Sequence, residues 1–212
     1  MVAGVDGCRG GWLSVLVDGG RLQGFVFHRT FAEVLDSSAE VVAVDMPIGL
    51  PVAGPRAADL AARAFVGPRC SSVFVTPPRA VLESQSFAEA VALCRTLTGK
   101  GVSQQAYALR RRIFEVDDAA RRDPRVIEVH PEASFRELAG GPLPSKHCAE
   151  GRALRRRLLA RCNTSVPADL PRGLAVDFLD AAVTAWSAER FARGVAEPLP
   201  VGSSGRRGVI WR

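Results

Sequence analysis

The first thirty residues alternate short apolar runs with glycine turns. Residues 2–6, 12–17 and 22–28 are separated by Gly10-Gly11 and Gly19-Gly20, a spacing that predicts an antiparallel meander of three strands. Residues 31–37 form a short helix candidate. The run Val41-Val42-Ala43-Val44-Asp45 predicts the next strand, which stops at Pro47. A meander, a helix and then a further strand open a mixed sheet, not a dinucleotide-binding unit.

Residues 55–125 change character. Residues 56–65 are alanine-rich and helical, residues 72–76 form a brief apolar stretch stopped by Pro77-Pro78, and residues 87–96 predict another helix. Residues 104–121 read as one helix, with Leu109, Ile113 and Val116 on one face at helical spacing. The segment is expected to be a helical insertion packed beside the sheet. Residues 125–130 return to strand, and Pro131-Glu132 opens a helix, because proline suits the first helical position and an acid complements the positive helix end. Residues 150–162 and 176–191 complete the helices, and residues 208–211 predict a last short strand. The expected architecture is a single α/β domain over 1–212, a mixed five-stranded sheet flanked by helices. In helix 150–162 the leucines 154, 158 and 159 take the buried side, which leaves Arg152, Arg155, Arg156 and Arg157 outward.

Four positions break the pattern by placing acids where the chain is otherwise apolar. Asp6 sits inside Val2-Ala3-Gly4-Val5-Asp6-Gly7, Asp45 ends its apolar strand, and Glu128 lies within Val126-Ile127-Glu128-Val129-His130. The pair Asp177 and Asp180 projects from one helix face, being three residues apart. An ionised carboxylate in apolar surroundings is costly unless a cation or donor compensates it. Acids drawn from several strands and one helix suit Mg²⁺ or Mn²⁺, because hard cations take oxygen ligands. Two such ions about 4 Å apart activate a water and stabilise a leaving oxygen in phosphodiester cleavage. Simpler roles compete at each position: Asp45 as a turn cap, Glu128 paired with a core arginine such as Arg136, and Asp177 as the acid at a helix N-terminus. For substrate, Arg69 and Arg79 flank a serine-rich turn and are candidate phosphate clamps. Lys100 in Gly99-Lys100-Gly101 lacks the full spacing of a nucleotide-binding loop, and His130 is a candidate for orienting a water or binding phosphate.

Charge points the same way. The 212 residues carry a net charge of +6, which favours a polyanionic partner such as nucleic acid. One tyrosine and three tryptophans are too few for an extended stacking platform for single strands. Five cysteines without a Cys-x-x-Cys pair argue against a disulfide framework or a structural zinc site. With no secretory or membrane-length segment, the expected location is the cytoplasm, with no membrane partner.

Together these residues resemble the ribonuclease H-like superfamily, especially its Holliday-junction resolvase branch. More closely, the chain is similar to an uncharacterised bacterial family, domain of unknown function 429, described as predicted ribonuclease H-like nucleases. The resemblance is carried by Gly4-Val5-Asp6-Gly7-Cys8-Arg9-Gly10-Gly11-Trp12, Val44-Asp45-Met46-Pro47-Ile48-Gly49-Leu50-Pro51 and Arg69-Cys70-Ser71-Ser72-Val73-Phe74. It continues through Gly99-Lys100-Gly101-Val102-Ser103-Gln104-Gln105, Glu128-Val129-His130-Pro131-Glu132, Glu150-Gly151-Arg152 and the stretch 177–182. It implies a metal-dependent nuclease in which Asp6 bridges two ions, Asp45 or Glu128 is a second ligand, and Asp180, with Asp177 beside it, is the helix-borne acid. It also implies a possible homodimer, since resolvase-like relatives often pair. Two alternatives follow from the same fold: a non-catalytic nucleic-acid-binding scaffold, and an actin-like ATPase, which would need a second domain and phosphate loops not seen here.

Overall fold

The computed structural model describes residues 1–171 and 173–212. Its centre is a five-stranded mixed sheet in the order β3-β2-β1-β4-β5, formed by β1 (Val2–Cys8), β2 (Gly11–Asp18), β3 (Arg21–His28), β4 (Val42–Val44) and β5 (Val126–Glu128). β1, β2 and β3 are the antiparallel meander that the glycine turns predict, while β4 and β5 run parallel to β1. The parallel half requires crossovers. Short helix α1 (Phe31–Leu35), capped by Thr30, leads from β3 toward β4.

Pleat parity divides the sheet into two faces. Val2, Cys8, Ala43, Ile127 and Val129 pack on one side with the long helix α9 (Ala175–Ala192). Ala3, Val5, Val42, Val44 and Val126 pack on the other with α1 and with α6 (Arg110–Arg122). A sheet buried on both faces explains why its parallel strands read as continuous apolar runs.

Between β4 and β5 the chain runs through α2 (Ala57–Val66), a 3₁₀ turn (Gly67–Ser72), α3 (Arg79–Glu83), α4 (Phe87–Thr98), α5 (Gln104–Ala108) and α6. Only part of this segment stands apart from the sheet. Val81, Ala90, Cys94, Ala106 and Tyr107 make a small core of their own, whereas Ile113, Val116 and Ala119 of α6 belong to the sheet's second face. Residues 104–121 are therefore two helices, not one. They break at Leu109, where α5 turns to serve one core and α6 the other.

Helix α7 (Pro131–Ala139) follows β5 directly, then α8 (Ala149–Arg161) and α9. The pair β6 (Pro198–Leu199) and β7 (Ile210–Trp211) closes the chain, with Trp211 bridging to Val129 beside β5. Arg155 departs from the amphipathic reading of α8: it is fully buried and donates to a carboxylate oxygen of Glu132 at 2.5 Å. Its guanidinium also donates to the carbonyls of Pro144 and Gly151, so a cage of acceptors offsets what burial costs the charge. No helix among the described residues is long and apolar enough to cross a membrane.

Candidate carboxylate centre

Three features of the backbone gather the acids. The register Val5↔Val44 and the bond from the Asp45 N–H to the Val5 carbonyl place Asp6 and Asp45 side by side at the ends of neighbouring parallel strands. Parity sends both toward the α9 face. Gly4 then lets α9 lie directly on β1: a β-carbon there would fall 2.0 Å from the Ala185 nitrogen and 2.2 Å from the Ala181 carbonyl oxygen. That close approach brings Asp180, one residue before Ala181, against Asp6.

The electrostatics record how tightly the acids are grouped. Burial pushes Asp6 well above the ordinary carboxylate value of 3.8, and the charges of Asp180, Asp45 and Asp177 push it further, with Lys146 opposing. Asp45 is raised by burial and by Asp180, against the pull of His130 and Lys146. Asp177 and Asp180 are raised as well, first by burial. No described side chain donates a hydrogen bond to Asp6 or Asp45, whereas Asp180 accepts one from Lys146 Nζ at 2.5 Å.

Two adjoining cavities open on this group. One, of about 270 Å³, is bordered by Asp6, Asp45, Arg112 and His130. The other, of about 530 Å³, is bordered by Asp45, Asp180, Arg69, His130, His147 and Lys146. Acids and basic groups thus line the same cavities, a combination suited to an anionic substrate approaching a cation.

Glu128 sits differently. It follows the parity of Val126 and points to the face opposite α9, where Arg56 donates to both its carboxylate oxygens at 2.6 and 2.7 Å. The Ile48 N–H donates to it as well, at 2.7 Å, and Asp59 binds Arg56 from the other side. Burial lifts Glu128 to about 7 against the pull of Arg56, and Arg56 is held charged by its two acids. Glu128 borders the first cavity, but as part of this buried pairing. Its partner is Arg56 and not Arg136, which donates to the Val66 carbonyl.

The basic candidates divide. Arg69 reaches the larger cavity from the 3₁₀ turn, near Glu132 at 3.4 Å. His130 borders both cavities, and its buried Nδ1 has no partner among the described residues. Arg79 lies elsewhere, sharing the fully buried Asp117 with Arg121 and Arg207. Lys100 lies beside a separate cavity between the α2 and α4 regions. Lys146 and His147 border the acids with no sequence motif to mark them, and Arg112 of the arginine run 110–112 borders them as well. Arg112 is fixed by donating to the Cys8 carbonyl at 2.5 Å and by stacking on Trp12.

The acids offer oxygen ligands, and burial pushes the nearby Cys8 thiol up, away from thiolate chemistry. Hard divalent cations fit that set. Among the described residues, no three His, Cys, Asp or Glu groups close around a single point. The pair facing the cavity without a partner is Asp6 and Asp45, while Asp180 is engaged by Lys146.

The raised acids carry a pH signature. A carboxylate whose folded value is raised stabilises the fold below its unfolded value, and that stability is lost as pH rises through the folded one. Metal-free protein is expected to melt at a lower temperature at about pH 8 than at about pH 5, within the range above 3.8 where these acids lose their protons. Saturating Mn²⁺ should shrink the difference. Calorimetric melts across that range check it, and a metal-free profile that rises with pH would contradict the assignment.

A family model described as a protein of unknown function (DUF429) matches residues 4–203, a span that starts within β1 and takes in β4, β5 and all of α9. No curated protein and no solved structure matches the chain. Asp6, Asp45, Asp177 and Asp180 all fall inside the matched span, and the chain belongs to the DUF429 family.

Proposed function

We propose that this protein is a metal-dependent nuclease of ribonuclease H-like build that hydrolyses phosphodiester bonds in nucleic acid. The observation that carries the reading is the convergence of Asp6, Asp45 and Asp180, from two strands and a helix, on cavities also lined by basic groups. Asp6 and Asp45 would hold Mg²⁺ or Mn²⁺. When bound, the ion supplies Lewis acidity at the phosphate and lowers the pKa of an attacking water.

The chain's own residues do the rest. Arg69 and His147 line the larger cavity, where charged donors bind phosphate oxygens and fix the register of a strand. His130, beside Asp45, borders both cavities, where its imidazole is placed to orient a water. Ser72 of the 3₁₀ turn, with Gln105, Leu109 and Arg112, lines the smaller cavity together with Asp45 and Asp6. The net charge of +6 draws a polyanion toward the centre.

Incubating purified protein with RNA, DNA, hybrid and junction substrates in Mg²⁺ or Mn²⁺ tests the reading. Cleavage of at least one, abolished by EDTA and by Asp45→Asn, is the expected outcome. Salt-sensitive binding without cleavage of any of the four would overturn the nuclease assignment and favour a non-catalytic scaffold.

A further inference from the structure

The carboxylate centre contains a cation of its own. Lys146 lies on the loop between α7 and α8, its Nζ 2.5 Å from Asp180 Oδ2, and it borders both cavities. The charges of Asp45 and Asp6 also bear on it. Of the other cations nearby, Arg112 donates to the Cys8 carbonyl and Arg155 is paired with Glu132. Among the described residues, Lys146 alone makes an ion pair with one of the four acids.

The loop is built to keep it there. Arg155 donates to the Pro144 carbonyl at 2.8 Å and Arg152 to the His147 carbonyl at 2.7 Å, clamping the chain on both sides of Lys146. Gly151 admits the loop, since a β-carbon there would lie 2.0 Å from the Ser145 carbonyl oxygen. Glu132 anchors Arg155 in turn. The motif Glu150-Gly151-Arg152 therefore acts through position: its glycine and arginine hold in place a lysine that lies upstream of both.

A second divalent ion at Asp180 would have to break this ion pair and then sit beside the displaced ammonium, where like charges repel at short range. An ammonium in the same place neutralises Asp180 and still has donors to spare for a phosphate oxygen. Resting on the metal-dependent reading above, we propose that Lys146 fills one of the two cation positions of the centre, so that a single divalent ion binds, at Asp6 and Asp45. The expected two-ion site is thereby an ion-plus-lysine site.

Counting Mn²⁺ tests this without reference to cleavage. Calorimetric titration, with free Mn²⁺ followed by electron paramagnetic resonance, should give one ion per wild-type chain and two for Lys146→Met. Lys146→Arg, which keeps the charge, should stay at one. In EDTA, Lys146→Met should melt below wild type because Asp180 loses its counter-ion, and Mn²⁺ should raise its melting temperature by more than it raises the wild type's. Two ions in wild type, or one in a folded Lys146→Met, overturns the lysine assignment and leaves the nuclease reading standing. No ion in wild type overturns both. One ion with no cleavage of any substrate supports the assignment of Lys146 and counts against the nuclease.

Discussion

Asp6→Asn is expected to lower cleavage at least about 100-fold while raising the melting temperature of the metal-free protein. The two effects have one cause. Asp6 is buried against Asp180, Asp45 and Asp177, and all of those push its carboxyl toward the protonated form. A group held in that way costs the fold stability at neutral pH, and a neutral amide of the same shape removes the cost. The same substitution takes one of the two unpartnered carboxylates from the cation. Loss of a group that merely supports a metal ligand costs about 10–100-fold, so loss of a ligand should exceed that range. Each kcal/mol recovered should appear as about 2–4 °C for a chain of this size. Cleavage rates and melts in EDTA measure both arms. A variant that keeps activity would remove Asp6 from the centre, and one that loses activity and also melts lower would show that Asp6 is a structural acid.

How much of this was legible in the sequence depends on the kind of element that carries each residue. Asp6 and Asp45 stood out because a strand's period of two makes an acid in an apolar run conspicuous, and the pleat that exposed them also decided their direction. The same parity bears on Glu128. Val126 and Glu128 share a face, Ile127 takes the other, and only knowledge of which face met α9 was missing. Asp177 and Asp180 were legible from helical spacing, but not how closely α9 would approach.

What stayed hidden was decided by partners distant in the chain. Arg155 lies in a run of arginines whose helical arc looks solvent-facing, and only Glu132 with two carbonyls from a loop makes its burial tolerable. Lys146 sits in a loop, where no period marks a residue as inward, and the Gly151 that positions it reads as an ordinary helix residue. The break at Leu109 was invisible for a related reason. Apolar spacing continues through it, yet Tyr107 donates to the Ser84 carbonyl in one core while Ile113 packs in another.

Gly4→Ala is expected to cost more stability than any other single methyl group added to this chain's first strand. Its β-carbon would meet backbone atoms of α9 at 2.0, 2.2 and 2.6 Å, and backbone cannot step aside by changing rotamer. The helix would have to lift from β1, opening the core formed by Phe178, Leu179, Ala181, Val183 and Ala185. Overpacking of well-filled cores costs about 1–3 kcal/mol and occasionally more, and a clash with backbone belongs at or above the upper end. About 3 kcal/mol is a large part of the roughly 5–15 kcal/mol that holds a domain together. At about 2–4 °C per kcal/mol it lowers the melting temperature by about 6–12 °C. The variant also separates the two effects that Asp6→Asn joins in opposite senses. Lifting α9 carries Asp180 and Asp177 away from Asp6, so the folded fraction of Gly4→Ala should lose stability and show a weaker pH dependence of its melting together. A melting temperature within about 2 °C of wild type would mean that α9 does not rest on Gly4, and with it the close approach that brings Asp180 to Asp6 would fall.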